Sequence, residues 1–381
     1  MINKFSQECN KCILVLPSLG GGGAEKVFAD LYNFLDKKNY NVKLILFNFR
    51  GKNFSRIKNR ENLINLKTKR VSRSIPKLLW FLLENKPSVA VSAMTHTNIA
   101  LIISCLLYKF ISRNYIRIII SERAPTNFLF PDDKSFYNRA ARFLIRFFYK
   151  YAEKIISVSD GVKNELVKDY GINKEKIFTI MNPIDFKDKS INQKLNKPFH
   201  WFQYYKPIGI SIGRLSNEKG FDTLLKVIKK VNEFTEYKHI ICGIGKEKEN
   251  LIKQSIELKI EDKIYFADYV KDTNIWLRNS NIFVSTSRWE GCPNVILEAL
   301  ACNIPVVSTN CPYGPSEILQ EGKWGELVKV DSVRQISKSI IKVINSPIKK
   351  NIDLEKYLRE NFSIEVIFGK YERIIFNTKE R

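Results

Sequence analysis

Histidine and paired cysteine are scarce in this sequence. The 381 residues include three histidines, and no two of them stand at the spacing of metal ligands. The seven cysteines are scattered, and only Cys9 and Cys12 form a CxxC pair, whereas a structural zinc site needs a second pair. We therefore expect no metal, no cofactor and no disulfide framework, and we interpret the cysteines as buried thiols in a reducing compartment.

A secretion signal and a membrane-spanning run are also missing. The first residues lack a long apolar region followed by a cleavage site of small residues. The longest apolar stretch, residues 99–107, is roughly half of the ~20 residues that a spanning helix needs. We predict a cytoplasmic protein that does not cross a membrane.

Acidic residues are outnumbered: 39 Asp and Glu stand against 63 Lys and Arg, which gives a formal net charge of +24. An excess of 17 positive charges lies within residues 1–150. A localised basic surface indicates a phosphate-bearing partner, either a nucleic acid or an anionic membrane. RNA-binding, zinc-finger and helix-turn-helix signatures are lacking, so we expect no nucleic acid and keep a nucleic-acid-binding protein as the less favoured alternative.

Short apolar runs alternate with helical segments along almost the whole chain. Strands are predicted at residues 12–17, 42–47, 89–92, 116–120 and 154–158, then at 208–213, 237–243, 264–266, 281–286, 304–308 and 326–330. Continuous apolar runs between helices are typical of parallel strands in doubly wound α/β folds. With a polar linker at 186–207, this predicts two Rossmann-like domains, 1–190 and 191–362, followed by a helical segment at 363–381. We expect the carboxyl ends of both sheets to border one ligand cleft.

The strongest motif spans residues 287–307 and follows a predicted strand. Glu290 lies in the turn before a helix, and Glu298 lies in its second turn, so both carboxylates are expected at the mouth of that helix. The free amides of the first helical turn favour an anion there; they belong to Asn294, Val295 and Ile296. A phosphate on the amides, with two carboxylates for sugar hydroxyls, predicts a sugar-nucleotide pocket. The alternative makes Glu290 a surface turn residue and Glu298 a solvated one.

Two further clusters carry glycine next to charge. Residues 213–220 join a strand to a helix and contain Arg214 and Lys219, which can neutralise a leaving diphosphate. The four glycines at 20–23 follow the first strand and allow an anion to approach the next helix. They fit neither GxGxxG nor a Walker loop, which disfavours a nicotinamide-dependent oxidoreductase. A merely flexible turn is the alternative for this glycine run.

These motifs resemble those of the family-4 retaining glycosyltransferases, which have the GT-B fold. The two glutamates Glu290 and Glu298 match the family's E-x7-E motif, and Arg214 with Lys219 matches its diphosphate clamp. The resemblance implies that the first glutamate contacts the donor sugar and the second the ribose, and that the C-terminal helix returns to the first domain. It also implies retention at the anomeric carbon, a UDP-linked donor and no metal. Further donor-binding positions follow from the same resemblance: Gly22, Gly23, Gly213, Gly243, Gly245 and the nucleobase loop near Val270.

The sequence departs from many family members in one respect. No histidine follows the strand at 116–120; residues 121–123 read Ser-Glu-Arg there, and this triplet resembles a subgroup that makes bacterial surface glycans. Residues 312–318 resemble that subgroup too, which implies a hexose or N-acetylhexosamine donor. By position we predict that Glu122, Arg123 or His96 contacts the acceptor or the donor sugar. A nucleotide-sugar epimerase of the same architecture remains the alternative, and it would turn over the donor without an acceptor.

The basic half contains segments that mix aromatic and basic residues. Residues 135–151 place basic side chains three or four positions apart, so we predict one basic helix face formed by Arg139, Arg142, Arg146 and Lys150. Such amphipathic surfaces suit peripheral binding to an anionic membrane, although an ordinary solvated helix face is the alternative. We therefore expect a lipid-linked oligosaccharide acceptor at the inner face of the cell membrane.

Overall fold

A computed structural model describes residues 11–186, 200–205, 207–346 and 352–377. The chain forms two compact units. The first unit contains Met1–Pro183 and Ile364–Arg381, and the second contains Ile184–Ser363. The predicted boundary at residue 190, most of the predicted linker and Cys9 lie outside the described residues.

The first unit is built on a seven-stranded parallel sheet with the order β3-β2-β1-β4-β5-β6-β7. Its strands are β1 (Cys12–Leu16), β2 (Val42–Leu46), β3 (Leu63–Asn65), β4 (Val89–Ala93), β5 (Arg117–Glu122), β6 (Lys154–Ser157) and β7 (Ile177–Thr179). Every residue of β1 and β4 is buried, as expected for strands covered on both faces.

Helices connect these strands on both faces of the sheet. They are α1 (Gly23–Lys37), α2 (Ser74–Asn85), α3 (Thr95–Ser112), α4 (Thr126–Leu129), α5 (Phe136–Phe148) and α6 (Asp160–Tyr170). Helix α3 is long and apolar enough to cross a membrane, with a mean hydropathy of 1.2, but 56% of it is buried within the fold. It packs against α2, α5 and β5, which is the position of a core helix.

The second unit repeats the same design with six parallel strands in the order β10-β9-β8-β11-β12-β13. Its strands are β8 (Ile208–Ile212), β9 (Lys238–Cys242), β10 (Ile264–Phe266), β11 (Ile282–Ser285), β12 (Val306–Thr309) and β13 (Glu326–Val328). Its helices are α7 (Trp201–Tyr204), α8 (Phe221–Asn232), α9 (Lys248–Glu257), α10 (Thr273–Asn279), α11 (Asn294–Ala301), α12 (Pro315–Ile318), α13 (Val333–Ile344) and α14 (Ile352–Phe362).

The last helix, α15 (Ile364–Phe376), belongs to the first unit. Phe368 and Tyr371 are fully buried in the core that contains Phe28 of α1, so the expected return of the C-terminal helix is confirmed. Burial of each such aromatic side chain contributes about 1.5–3 kcal/mol. The Arg117 guanidinium donates to the carbonyl oxygens of Ile374 and Ile375 at the end of α15, which pins the helix to the sheet.

In each sheet, the order in which successive strands are added reverses at one place. In the first unit the order turns between β1 and β4, and in the second it turns between β8 and β11. At such a switch point the loops that follow the two central strands diverge and leave a crevice at the carboxyl edge, where ligands of open α/β sheets bind. The prediction of two Rossmann-like domains is therefore confirmed, and the topology indicates where each unit can hold a ligand.

Candidate functional site

The predicted donor residues of the second unit gather at one edge of its sheet. They lie in the loops that follow β8, β9, β10 and β11 and on helix α11, which begins after the last of these loops; the four strands are neighbours in the order β10-β9-β8-β11. Because all four run parallel, their carboxyl ends and the loops after them share one edge. This edge includes the switch point between β8 and β11.

An ion pair joins the two loops on either side of the switch point. The Lys219 ammonium, from the loop after β8, lies 2.5 Å from a carboxylate oxygen of Glu290, from the loop after β11. The Ser287 hydroxyl donates to the same oxygen at 2.7 Å, and the Thr286 hydroxyl donates to the Lys219 carbonyl oxygen at 3.0 Å. Only 20% and 12% of the two charged side chains are exposed, so the pair is weakly screened by solvent.

The backbone of Glu290 is held by hydrogen bonds to the segment that follows a third strand, β12. Its N–H donates to the carbonyl oxygen of Pro312 at 2.7 Å, and the N–H of Tyr313 donates to its carbonyl oxygen at 2.8 Å. Both partners follow β12, in the segment 312–318 that the sequence analysis associates with surface-glycan enzymes. That segment therefore acts at this site by holding the glutamate in place.

Arg214 differs from its neighbour Lys219 in being exposed. Within the part of the chain that the structure describes, its guanidinium makes no hydrogen bond or ion pair. A Cβ on Gly213 would lie 3.4 Å from the Lys219 side chain, so the glycine lets the lysine stem pass close to the strand end. The site thus offers one unpartnered guanidinium beside one ammonium that is paired to a carboxylate.

Glu298 lies on α11 and faces the loop after β10. Its carboxylate accepts a hydrogen bond of 2.9 Å from the Thr273 hydroxyl, at the start of α10. Val270 is half-buried in the loop that leads to this helix. The structure therefore brings Glu298 and Val270 to the same side of the site.

One of the three backbone amides predicted to bind an anion donates a hydrogen bond within the protein instead. The N–H of Ile296 donates to the carbonyl oxygen of Pro293 at 3.1 Å, in the tight turn that starts α11. The prediction that Ile296 offers a free amide is therefore wrong. The amides of Asn294 and Val295 stay predictions as phosphate ligands.

The glycines of the loop after β9 are explained by close backbone contact. A Cβ on Gly243, whose φ is +152°, would lie 1.8 Å from the carbonyl oxygen of Gly213. A Cβ on Gly245 would lie 2.1 Å from the carbonyl oxygen of Leu215. The N–H groups of Gly213 and Leu215 donate back to this loop, so glycine allows the two loops to form one surface.

Sequence reasoning missed Arg288, which holds this arrangement together. Its guanidinium pairs with Asp222 of α8 at 2.7 Å and with Asp331 at 3.0 Å, and it donates to the carbonyl oxygen of Asn217 at 2.7 Å. These hydrogen bonds and charges raise the already high pKa of Arg288 further. Arg288 thus ties the loop after β11 to the loop after β8, and its place between Ser287 and Glu290 is the signal that could have found it.

The predicted site residues of the first unit also lie together, at the carboxyl edge of its sheet. The glycine run 20–23 follows β1, His96 follows β4, and Glu122 ends β5; these strands are neighbours in the sheet. Gly22 and Gly23 begin α1, and the carboxylate of Glu25 lies beside the loop, 2.5 Å from the position of a Cβ on Gly22. Gly22 and Gly23 as donor ligands stay a prediction.

Glu122 is buried, with 1% of its surface exposed. Its carboxylate accepts hydrogen bonds from the Thr95 hydroxyl at 3.1 Å and from the Tyr149 hydroxyl at 2.5 Å. Burial raises the pKa of Glu122 to about 7, and these hydrogen bonds oppose only part of the rise. Both oxygens face the interior, so the structure does not support the predicted contact between Glu122 and a sugar.

Arg123 is also engaged inside the first unit. Its guanidinium donates to the Tyr371 hydroxyl of α15 at 2.8 Å and to the side chain of Asn182. These contacts place the guanidinium against the returning helix, where it stabilises the packing of α15. The predicted sugar contact of Arg123 is not supported by this geometry.

His96 is exposed, and its Nε2 lies 3.0 Å from the Tyr137 hydroxyl of α5. Partial desolvation, with the Phe130 ring at its edge, lowers the pKa of His96. The imidazole is therefore neutral at pH 7. Its contact with a sugar stays a prediction.

Helix α5 carries only part of the predicted basic face. Arg139, Arg146 and Lys150 are exposed, and the Arg146 guanidinium also donates to the carbonyl oxygen of Asp169 on α6 at 2.8 Å. Arg142 instead points toward α4 and α6: its guanidinium donates to the Asn127 side chain of α4 at 2.6 Å and lies 5.3 Å from the Tyr170 ring centroid of α6. The prediction that Arg142 shares the exposed face is therefore wrong.

Metal-binding side chains do not cluster in the described residues. No group of three His, Cys, Asp or Glu residues there could hold an ion. The six described cysteines are free thiols, and burial raises the pKa of four of them, Cys12, Cys105, Cys242 and Cys311, to about 12. Such thiols stay protonated at neutral pH.

The first prediction concerns Arg288. The variant Arg288→Gln is expected to lower the stability by about 1–3 kcal/mol, and to weaken the binding of UDP, the ligand that the resemblance implies, about tenfold, because the loops after β8 and β11 lose their common anchor. Isothermal titration calorimetry and thermal unfolding measure both effects. Arg334→Gln, which removes an exposed charge from α13, is the control. Equal UDP affinity in the two variants would show that Arg288 does not position the site.

The second prediction concerns Glu122 and pH. The folded-state pKa lies above the usual value of 4.5, so the folded state holds the proton more tightly and stability falls as pH rises. At about 1.4 kcal/mol per unit, the free energy of unfolding should fall by about 3 kcal/mol between pH 4.5 and pH 7. Glu122→Gln should remove this slope, as measured by denaturant unfolding, and exposed Glu84→Gln should retain it. An unchanged slope in Glu122→Gln would contradict the assignment.

Comparison with known proteins finds a family match for each of the two units. Residues 21–188 match the family described as "Glycosyltransferase Family 4", and residues 194–361 match "Glycosyl transferases group 1". An uncharacterized glycosyltransferase of Methanocaldococcus jannaschii is 28% identical over 370 residues, which cover 88% of each chain.

Two more proteins are similar over most of the chain. A Campylobacter jejuni enzyme is 27% identical over 83% of this chain and 85% of its own; its name is N-acetylgalactosamine-N,N'-diacetylbacillosaminyl-diphospho-undecaprenol 4-alpha-N-acetylgalactosaminyltransferase. The Anabaena protein HepE, solved with UDP-glucose, has the same fold, with a TM-score of 0.76, 18% identity, and coverage of 97% of this chain and all of HepE. The fold, the two family matches and the resemblance of the motifs agree, and the chain belongs to the family-4 glycosyltransferases of the GT-B fold.

Proposed function

We propose that this glycosyltransferase moves a hexose or N-acetylhexosamine from a UDP-sugar to a lipid-linked glycan, with retention at the anomeric carbon, in surface polysaccharide or lipopolysaccharide synthesis. The observation that carries the proposal is the Lys219–Glu290 pair across the β8/β11 switch point, beside the unpartnered Arg214. Two cations and a carboxylate at the carboxyl edge of the sheet suit a sugar diphosphate, because the cations can bind the diphosphate and the carboxylate can bind a sugar hydroxyl.

Each side chain has a role in this proposal. Arg214 binds the diphosphate in a two-pronged geometry, and Lys219 adds a point charge as the leaving group becomes more negative. Glu290 accepts a hydrogen bond from a donor sugar hydroxyl. Glu298, beside Thr273 and the loop after β10, accepts hydrogen bonds from the ribose hydroxyls.

The proposed reaction breaks the bond between the anomeric carbon and the phosphate oxygen, and forms a bond to the acceptor oxygen on the same face of the sugar. The acceptor proton passes to the departing diphosphate oxygen, so no dedicated base and no covalent enzyme intermediate are needed. Charge placement by Arg214 and Lys219 then supplies the stabilisation that the bond breaking requires. We propose that it does so without a metal ion.

The acceptor part of the proposal draws on the relatives. The name of the Campylobacter jejuni enzyme describes a sugar acceptor on diphospho-undecaprenol, and HepE was solved with UDP-glucose. Among the relatives is also a lipopolysaccharide 1,6-galactosyltransferase of Salmonella typhimurium. These names favour a nucleotide sugar and a lipid-linked glycan as substrates here.

An exposed surface of aromatic and basic side chains on the first unit supports the same acceptor. Helix α5 exposes three aromatic rings along one face: Phe136 (87% exposed), Phe143 (64%) and Phe147 (42%). Beside them lie the basic side chains Arg139, Arg146 and Lys150. Exposed rings next to cations suit the interface of an anionic bilayer, so we propose that the enzyme binds the inner face of the cell membrane through this surface.

The third prediction tests donor binding. Glu298→Gln is expected to weaken UDP binding by roughly 1.5–3 kcal/mol, because ribose hydroxyls lose a charged acceptor. Arg214→Gln should weaken UDP binding and leave uridine binding unchanged, because the guanidinium acts on the diphosphate. Calorimetry with UDP and uridine measures both, and the exposed Glu257→Gln of α9 is the control.

Three results would contradict the donor assignment. They are wild-type UDP affinity in Glu298→Gln, an equal loss of uridine and UDP binding in Arg214→Gln, and turnover of UDP-sugars without any acceptor. The last result is the one expected of an epimerase.

The anomeric configuration of the product, read by NMR, tests retention, and activity in the presence of a chelator tests independence from metal.

The fourth prediction tests the membrane surface. The triple variant Arg139→Gln, Arg146→Gln, Lys150→Gln should lower binding to phosphatidylglycerol vesicles at least tenfold and leave UDP binding unchanged, because about 1 kcal/mol per cation is lost at the bilayer. Vesicle co-sedimentation measures this. The control removes three exposed lysines from the second unit, Lys229, Lys253 and Lys338. Equal vesicle binding by both triple variants would overturn the proposal.

A further inference from the structure

A groove of about 460 Å³ lies on the first unit and contains none of the predicted donor residues. It runs along the edge strand β7, between the start of α6 and one face of α15. Ile177, Phe178, Ile180 and Ile374 form its apolar part. Because β7 pairs only with β6 among the described residues, the groove follows an open edge of the sheet.

Four cations line this groove. They are Lys163 of α6, Lys174 from the turn before β7, and Lys370 and Arg373 of α15. The ammonium groups of Lys163, Lys174 and Lys370 have no hydrogen bond or ion pair anywhere in the described structure. Two consecutive elements, α6 and the turn before β7, thus share one groove of unneutralised positive charge with α15 from the far end of the chain.

Two carboxylates belong to the same groove. Asp160 accepts a hydrogen bond of 2.5 Å from the Thr179 hydroxyl, which fixes it at one end, and Glu175 is exposed next to Lys174. The net charge of the lining side chains is still positive. Unpaired cations of like sign repel each other, so this arrangement costs free energy unless an anion enters.

We infer that this groove is a binding site for a phosphate group, separate from the donor site. A phosphate carries up to two negative charges and several acceptor oxygens, which matches three separate ammonium donors around a space larger than the group itself. The site does not depend on the proposed function, because none of its residues belongs to the donor edge. The phosphate comes from a lipid headgroup or from a soluble phosphate.

A lipid source fits the position of the groove. The Lys176 ammonium, next to Lys174, donates to the carbonyl oxygens of Lys150 and Ala152 at 2.8 and 3.2 Å. Lys174, which lines the groove, therefore lies two residues from a direct contact with Lys150, the last basic residue of the exposed aromatic and basic surface. A bilayer that contacts Phe147 and Lys150 would present headgroups close to Lys174.

The fifth prediction is tested in the full chain with inorganic pyrophosphate as the soluble probe. The protein is first saturated with UDP so that the donor site is filled, and pyrophosphate binding is then measured by calorimetry. The double variant Lys163→Gln, Lys370→Gln is expected to lose at least tenfold in affinity. Neither side chain has a partner in the described structure, so the variant should fold normally, which thermal unfolding checks. The control is Lys37→Gln, Lys58→Gln, two exposed lysines of the same unit.

A second arm uses vesicles of phosphatidylglycerol and of phosphatidylcholine. A tenfold loss of binding to the anionic vesicles in the groove variant, but not in its control, identifies a lipid headgroup as the source. Loss of pyrophosphate binding with unchanged vesicle binding identifies a soluble phosphate. If the groove variant matches its control in both arms, the inference is overturned. UDP affinity should be the same in all these proteins, which separates this site from the donor site.

Discussion

The ion pair between Lys219 and Glu290 is the constraint on which the donor edge depends. The two residues lie 71 positions apart and come from loops on opposite sides of the switch point, so their contact at 2.5 Å requires both loops to be held firmly. Arg288 provides the hold on one side, through Asp222, Asp331 and Asn217. The turn after β12 provides it on the other, by hydrogen bonds to the backbone of Glu290. The ammonium and the carboxylate of the pair also neutralise each other's charge.

Most of the fold follows from the sequence, and what was missed is short. Eleven strands were predicted from apolar runs, including the three-residue edge strands β10 and β13. The two missed strands, β3 (Leu63–Asn65) and β7 (Ile177–Thr179), also have three residues each and lie at the edges of their sheet. At an edge one side of the strand meets fewer neighbours, so a short run with exposed Phe178 suffices, and no apolar pattern marks it. The edge strand that the sequence hides is the one that forms the phosphate groove.

The site was predictable by motif but not in its details, because the details are tertiary. Spacing alone places Arg142 with Arg139 and Arg146, yet a step of three residues rotates a side chain about 60° away from alignment, and Asn127 of α4 and Tyr170 of α6 lie in that direction. Glu122 ends a central strand, where ligand-binding residues are common, but Tyr149, 27 residues later, closes over its carboxylate. The amide of Ile296 is lost to a turn at Pro293 that sequence spacing does not reveal. Each error concerns which partner a residue meets, not which element carries it.

The large excess of positive charge has two separate uses in the described structure. Arg117, Arg123, Arg142 and Arg288 direct their guanidinium groups into the fold, where several hydrogen bonds from one planar group join distant segments. The ammonium groups of Lys163, Lys174 and Lys370 remain without partners. A lysine left unpaired contributes little to stability and keeps its full charge for a ligand. Arg214 also keeps its charge unpaired, since its exposed guanidinium has no partner in the described structure, and it lies where the diphosphate of a donor is proposed to bind. Unpaired positive charge is therefore a better guide to phosphate binding in this protein than the net charge of +24.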